Sequence, residues 1–311
     1  MKTKISHRFL DYINYFDLSN RRLLILEAQS SIKNPVVWLT CGLHGNELTG
    51  IAVIHEVFKI VEKIGLSKGS IFAFPAINLF GMDVDSRRFT PSDEDLNRIF
   101  PGKPDGSPGE RLTHIVFSEI ISQSPQLIID LHADWFRSVP YVVLDPNYGK
   151  VSLEAAQATG LLITKEAEMI ENSLSAEILK KGIDAITVEL GENNFINESN
   201  VNYGIRAILN ILEYLGMLPD VTEHHNFDIP KHFFEKVMVY NEIKCTQGGL
   251  VRFKVSVNEE VKKGQHVADA YNLFGEVIEK IVNPFDNSIV TGICDNCLVN
   301  PSETIIALGS L

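Results

Sequence analysis

Short apolar runs alternate with longer amphipathic segments from residue 20 to about residue 215. This order predicts an α/β sheet covered by helices. The runs are nearly continuous in apolar character, as expected for strands that are buried on both faces. The predicted strands are residues 22–28, 35–41, 70–75, 127–132, 141–145 and 185–190.

Two predicted helices have well-defined sequence signals. In residues 47–65, apolar residues recur at steps of three and four, which indicates an amphipathic helix of about four turns. Ser107, Pro108 and Glu110 provide an N-cap, a first-turn proline and a capping-box glutamate for another helix. The intervening stretch from Gly81 to Gly106 has no hydrophobic period and is rich in charge, which favours a functional loop.

The character of the chain changes near residue 220, after a last helix predicted at about residues 201–215. Residues 221–232 are polar and contain a proline, as in a linker. The remainder alternates short β-rich runs with turns, which predicts a small all-β unit. We therefore predict an α/β domain at residues 1–225 and a β domain at residues 226–311.

The composition narrows the possible functions. The 311 residues include 28 Lys and Arg against 40 Asp and Glu, a formal charge of −12. An acidic surface without a basic patch disfavours nucleic acid or anionic lipid as a partner. The apolar runs are too short to span a membrane, and the N-terminal segment is too polar for a signal peptide. We expect a cytoplasmic protein, and the sequence allows a homo-oligomer.

A histidine and a glutamate lie three residues apart where a predicted strand meets the first predicted helix. At this spacing, a His44 nitrogen and a Glu47 carboxylate oxygen can reach one metal ion. Gly42 and Gly45 flank His44 and permit the tight turn that such a site needs. Taken alone, the pair also fits a hydrogen-bonded histidine and a surface glutamate.

A second histidine ends the apolar strand at residues 127–132. Asp130 and His132 share one face of that strand, and a buried Asp130 needs a hydrogen-bond donor. Asp130 can accept the free ring N–H of His132 and fix which nitrogen faces a metal. His44, Glu47 and His132 together form a ligand set found in catalytic zinc sites, which leave a fourth position for water. The alternative is a core histidine paired with Asp130.

Further candidate residues lie at another strand end and in the charged loop. Glu189 ends an apolar run, where a carboxylate can take a proton from water and pass it to a leaving amine. Glu192 is the alternative base. Arg87, Arg88 and Arg98 can bind a carboxylate or stabilise an oxyanion, which favours acidic substrates. A loop with internal Asp–Arg pairs is the other interpretation.

Four motifs occur in the order HGNELTG, DLNRIF, IIDLH and TVELG, at residues 44–50, 95–100, 128–132 and 187–191. In this order they resemble the aspartoacylase and succinylglutamate desuccinylase branch of the zinc carboxypeptidase superfamily. The resemblance covers about residues 35–195. It implies a carboxypeptidase-like mixed sheet flanked by helices, and one Zn²⁺ per chain.

The resemblance also implies roles for individual residues. His44, Glu47 and His132 match the zinc ligands of the family, and Glu189 matches its general acid/base glutamate.

In the loop, Arg88 matches the arginine expected near the scissile carbonyl, with Arg87 as the adjacent alternative. Asn97 and Arg98 match the pair that holds the substrate carboxylate. Ala133, Asp134 and Trp135 stand where aspartoacylase has Asn-Thr-Thr, which argues against N-acetylaspartate itself.

The C-terminal segment at residues 248–293 resembles a barrel-sandwich hybrid of the biotinyl/lipoyl-carrier type. Residues 271–275 read YNLFG where carrier domains present a modifiable lysine, so we predict a lid or assembly module.

The leading hypothesis from the sequence is a zinc-dependent hydrolase that cleaves the amide bond of a small, carboxylate-bearing N-acyl amino acid. One alternative is a zinc carboxypeptidase acting on a short peptide or a cell-wall fragment. The other is a non-catalytic metal- or ligand-binding protein with the same fold.

Overall fold

Helices and strands account for most of the chain in the computed structural model, which describes residues 3–14, 20–134, 136–219 and 229–311. The helices are α1 Thr49–Ile64, α2 Leu79–Met82, α3 Pro108–Ser122, α4 Lys150–Ala158, α5 Leu174–Leu179 and α6 Glu198–Tyr214. Within the described ranges, none of them is both long enough and apolar enough to cross a membrane. The predicted domain boundary near residue 225 lies outside the described residues.

Seventeen strands form two sheets in the described part of the chain. They are β1 Lys4–Asn14, β2 Asn20–Gln29, β3 Val36–Cys41, β4 Ser70–Phe74, β5 Leu127–Asp134, β6 Phe136–Ser138, β7 Tyr141–Leu144, β8 Leu162–Lys165, β9 Asp184–Glu192, β10 Val237–Lys244, β11 Gly249–Phe253, β12 Glu260–Val261, β13 His266–Tyr271, β14 Val277–Val282, β15 Ser288–Cys294, β16 Leu298–Val299 and β17 Thr304–Ser310. The larger sheet has thirteen strands in the order β1-β2-β4-β3-β5-β9-β7-β8-β10-β17-β15-β12, with β6 paired to β15. The smaller sheet has the order β14-β13-β11-β16.

Both faces of the larger sheet are covered, as the apolar strands predict. Leu39 and Ile129 belong to the core on the face covered by α1 and α6. Their chain neighbours Trp38 and Ile128 belong to the core on the opposite face, with α3 and α5. Because successive side chains of a strand point to opposite faces, adjacent apolar residues are buried on both sides of the sheet.

All six predicted strands and the predicted helices are present, so the predicted mixed α/β fold class is confirmed. At the start of α3, the Glu110 backbone N–H donates to Ser107 Oγ over 3.0 Å, and the Ser107 N–H donates to Glu110 Oε2 over 2.9 Å. The charged loop begins within the last turn of α2 and contains an isolated β-bridge between Phe89 and Glu94 and a short 3₁₀ turn, Leu96–Arg98.

The hydrophobic pattern of the sequence does not predict β1, β8, α4 or α5. β1 mixes polar and apolar residues because it is a partly exposed edge strand that, among the described strands, pairs only with β2. β8 and α4 are short, so their hydrophobic patterns carry little signal.

The C-terminal β-rich region continues the larger sheet. Strand β10 pairs in parallel with β8 and antiparallel with β17. Residues of β10 therefore lie beside the carboxyl ends of β7 and β8, where the candidate site is located.

Candidate active site

The predicted metal ligands converge in the structure. His44 Nδ1 lies 2.7 Å from Glu47 Oε1, and His132 Nδ1 lies 2.8 Å from Glu47 Oε2. One ligand atom from each of the three residues lies within 4.8 Å of the others, and all three side chains are buried. Two imidazole nitrogens and one carboxylate form a donor set that suits Zn²⁺.

The sheet and one tight turn position this cluster. Strands β3 and β5 are parallel neighbours, so the turn after Cys41 and the end of β5 meet at one edge of the sheet. Gly42 adopts a φ of +68°, which favours glycine. A Cβ atom on Gly45 would lie 2.1 Å from the carbonyl carbon of Gly81, so only glycine lets the charged loop pack against the His44 turn.

Each imidazole has a second carboxylate on its other nitrogen. His132 Nε2 lies 2.8 Å from Asp130 Oδ2, the contact predicted from the sequence, and His44 Nε2 lies 3.1 Å from Asp95 Oδ1. Asp95 begins the DLNRIF motif, but its contact with His44 was not anticipated. These carboxylates hold both Nδ1 atoms toward Glu47.

The geometry at Glu47 suits a bound cation. In neutral His132, the Nε2–H group donates a hydrogen bond to Asp130, so Nδ1 carries no proton. Nδ1 and Glu47 Oε2 are then two hydrogen-bond acceptors that lie 2.8 Å apart. Burial opposes ionisation of Glu47, but the adjacent imidazoles outweigh it and hold the pKa of Glu47 well below its usual range. Burial likewise disfavours the imidazolium of His132, yet Asp130 and Glu47 raise its pKa well above the usual value. A divalent ion at the same point would satisfy these acceptors, so the residues fit a metal.

Glu189 lies beside the cluster. It is the direct register partner of His132 between β9 and β5, and it lines the same cavity. Its Oε2 atom is buried and has no hydrogen-bond partner among the described residues. Burial raises the pKa of Glu189 well above that of an ordinary carboxyl group. Glu192, the alternative base, is not among the residues that line this cavity.

Of the two adjacent arginines, the structure places Arg87 in the cavity. Arg87 Nη1 lies 3.3 Å from His44 Nδ1, and its Nη2 lies 3.0 Å from Asp95 Oδ2. Arg88, the residue indicated by the family resemblance, instead donates to the backbone oxygen of Asp93 over 2.7 Å and does not line the cavity.

Asn97 and Arg98 also line the cavity. Asn97 Oδ1 accepts the Leu174 backbone N–H over 2.8 Å, which ties the loop to α5. Arg98 Nη1 donates to the Asn97 carbonyl oxygen over 2.7 Å.

The cavity has a volume of about 360 Å³, which is suited to a small molecule. Asp134, which the family resemblance places beside the substrate, also lines it, together with residues that no sequence signal had assigned to the site: Tyr141, Asp145, Glu166, Ser175, Tyr240 and Glu242. Tyr141 donates to Asp134 Oδ2 over 2.8 Å. Asp145 ends a predicted strand, which is a sequence signal that could have pointed to a role in the site. Glu166 and Tyr240 belong to no motif and offer no such signal.

Comparison with known proteins identifies related chains. The succinylglutamate desuccinylase/aspartoacylase catalytic domain matches residues 33–215. N-alpha-acetyl-L-2,4-diaminobutyric acid deacetylase of Halomonas elongata is 24% identical over 253 residues, which are 78% of this chain and 72% of that protein. The product-bound structure of the ectoine utilization protein EutE (DoeB) from Ruegeria pomeroyi has a TM-score of 0.82 at 18% identity and covers 100% of this chain and 96% of that one. A succinylglutamate desuccinylase/aspartoacylase structure from Rhodobacter sphaeroides has a TM-score of 0.81 at 20% identity, over 99% of this chain and 96% of that one. This chain therefore belongs to the succinylglutamate desuccinylase/aspartoacylase family.

Proposed function

We propose that this protein is a zinc-dependent hydrolase that cleaves the amide bond of a small N-acyl amino acid. The observation that carries the proposal is the convergence of His44, Glu47 and His132 in one cavity with Glu189. The Halomonas relative is named for removing an acetyl group from an Nα-acylated amino acid, which supports this reaction class.

His44, Glu47 and His132 would hold the metal through two Nδ1 atoms and a carboxylate oxygen. When bound, zinc would supply Lewis acidity that polarises a carbonyl and eases the loss of a proton from water.

Glu189 would move the proton. In the hydrolysis, water adds to the acyl carbon, the C–N bond breaks, and one proton of the water passes to the leaving nitrogen. Because burial raises the pKa of Glu189 above that of an ordinary carboxyl group, its carboxylate is a stronger base, which can accept that proton and return it to the leaving nitrogen. Its buried Oε2 atom is available for this exchange.

Arg87, Asn97 and Arg98 would bind the substrate. Arg87, beside His44, can donate N–H groups to the oxygen of the scissile carbonyl as negative charge develops there. Arg98 and the amide nitrogen of Asn97 can hold the amino-acid carboxylate. The small cavity favours an N-acyl amino acid over an extended peptide or a cell-wall fragment.

The test compares Glu189→Gln with wild-type protein, both loaded with zinc. Glu192→Gln is the matched control, because Glu192 ends the same strand outside the cavity. We expect Glu189→Gln to lower kcat by about 10² to 10⁴-fold with unchanged zinc content, and Glu192→Gln to retain activity.

The assay panel contains N-acyl amino acids and short peptides. Full activity of Glu189→Gln, or hydrolysis that survives complete removal of metal, would contradict the mechanism. Zinc binding without hydrolysis of any panel member would favour a non-catalytic binding protein.

A further inference from the structure

One wall of the cavity, away from the metal ligands, is acidic and is built by three neighbouring strands. Leu144 of β7 and Val239 of β10 both pair with Lys165 of β8 in parallel register. The next residues along these strands, Asp145, Glu166 and Tyr240, therefore lie side by side, about 5 Å from strand to strand. All three line the cavity, with Glu242 also among its lining residues.

The carboxylates of this wall are incompletely neutralised by the protein. No hydrogen bond or ion pair reaches the Glu166 carboxylate from the residues that the structure describes. Asp145 Oδ2 accepts from Ser175 Oγ over 2.7 Å, but its Oδ1 atom is buried and has no hydrogen-bond partner in the described part of the chain. Glu242, by contrast, accepts from Thr304 over 2.9 Å and lies 3.2 Å from Lys244 Nζ.

The two acids without full partners also repel each other. Burial raises the pKa of Glu166, and the nearby carboxylates of Asp145 and Glu242 raise it further, while Arg98 opposes the shift. Burial raises the pKa of Asp145 as well. A positive charge entering between them would relieve this repulsion and satisfy the open oxygen atoms.

The geometry favours an organic cation over a second metal ion. Among the described residues, the one group of three or more His, Cys, Asp or Glu side chains close enough to share a metal is His44, Glu47 and His132. An ammonium group suits two separated carboxylates because it donates hydrogen bonds in several directions. The nearby Tyr240 ring can add a favourable cation–π contact.

We propose that Asp145 and Glu166 select N-acyl amino acids whose side chain carries a positive charge, with the substrate ammonium bound between them beside Tyr240. This assignment rests on the proposed function, since it places the substrate in the cavity of the metal cluster. The arginines of the loop would bind the carboxylate of the same substrate, and the acidic wall would bind its side chain.

The experiment measures kcat/KM of the zinc-loaded protein on three substrates of similar size and different charge. They are Nα-acetyl-L-2,4-diaminobutyrate, its neutral isostere Nα-acetyl-L-homoserine and the anionic Nα-acetyl-L-aspartate. We expect the cationic substrate to exceed the neutral one by about tenfold or more, and the anionic substrate to be the poorest. In Glu166→Gln and in Asp145→Asn, the ratio of cationic to neutral kcat/KM should fall about tenfold. Glu168→Gln, an exposed glutamate two residues away, should keep the wild-type ratio.

Equal kcat/KM for the three substrates, preference for the aspartate derivative, or an unchanged ratio in both variants would overturn the assignment. If Glu166 instead serves to orient Arg98, Glu166→Gln will impair all three substrates equally, which also overturns it. Binding of the same compounds to zinc-loaded Glu189→Gln, measured by calorimetry, separates the two proposals. If the protein binds the cationic compound preferentially but wild-type protein hydrolyses none of the three, the proposed hydrolase is refuted and the role of the acidic wall is retained. If wild-type protein hydrolyses the compounds without a charge preference, the role of the acidic wall is refuted and the hydrolase is retained.

Discussion

Asp130 Oδ2 lies 2.8 Å from His132 Nε2, while the other ring nitrogen of His132 faces Glu47. Asp130 is itself held in place, because Thr40 Oγ1 donates to its Oδ1 over 2.6 Å. All of these side chains are buried. The chain Thr40–Asp130–His132 therefore fixes both the orientation of the imidazole and the nitrogen that it offers to a metal.

We expect Asp130→Asn to weaken zinc binding by about 10 to 100-fold, because the amide cannot stabilise the ligand tautomer as a carboxylate does. Zinc affinity is measured by competition with a chelator of known affinity. Asp269→Asn is the matched control, since Asp269 is also buried and lies 2.6 Å from a histidine nitrogen, His266 Nε2, in the C-terminal region. Wild-type zinc affinity in Asp130→Asn would show that this contact does not tune the ligand.

Alanine substitution of the two adjacent arginines distinguishes the family resemblance from the geometry. Arg87 contacts His44 and Asp95, whereas Arg88 contacts the backbone at Asp93. We expect Arg87→Ala to lower kcat/KM by about 10² to 10³-fold, as for loss of an oxyanion donor. Arg88→Ala should change it by less than about threefold, as for a surface substitution. The opposite pattern in steady-state kinetics would assign the role to Arg88.

The convergence of His44, Glu47 and His132 could be predicted because these residues lie at strand ends and in short motifs. His44 follows the apolar strand β3 and His132 lies near the carboxyl end of β5, and parallel neighbouring strands bring their carboxyl ends to one edge of a sheet. The choice between Arg87 and Arg88 could not be made in this way. It depends on how the loop is held, for example by the Gly45 backbone N–H, which donates to the Ser86 carbonyl oxygen over 3.0 Å.

The acidic wall shows why the rest of the site escaped the sequence analysis. Asp145, Glu166 and Tyr240 come from distant parts of the chain, and the pairing of β10 with β8 brings them together. β8 itself was not predicted. No local pattern records that pairing, so the composition of this wall became apparent only from the fold.

The capping box of α3 should contribute to stability. Ser107→Ala removes the acceptor for the Glu110 N–H and a hydroxyl that also donates to Glu94 over 2.7 Å. We expect a loss of about 1 kcal/mol in the free energy of unfolding, measured by urea denaturation. Ser122→Ala at the other end of the same helix is the control. It should be neutral or slightly stabilising, since alanine has the higher helix propensity. An equal loss in both variants would mean that the cap makes no specific contribution.

Gly45→Ala tests whether close packing of the loop supports the metal cluster. The added Cβ would lie 2.1 Å from the Gly81 carbonyl carbon, and backbone on both sides leaves no side chain to move aside. We expect a loss of about 1 to 3 kcal/mol in unfolding free energy, as for overpacking, together with weaker zinc binding because the His44 turn is displaced. Gly182→Ala is the control, since Gly182 has a φ of +75° but no atom of the described residues lies within 4 Å of the new Cβ. It should lose about 1 kcal/mol through backbone strain alone and keep wild-type zinc affinity. Unchanged zinc affinity in Gly45→Ala would show that the cluster forms independently of the loop contact.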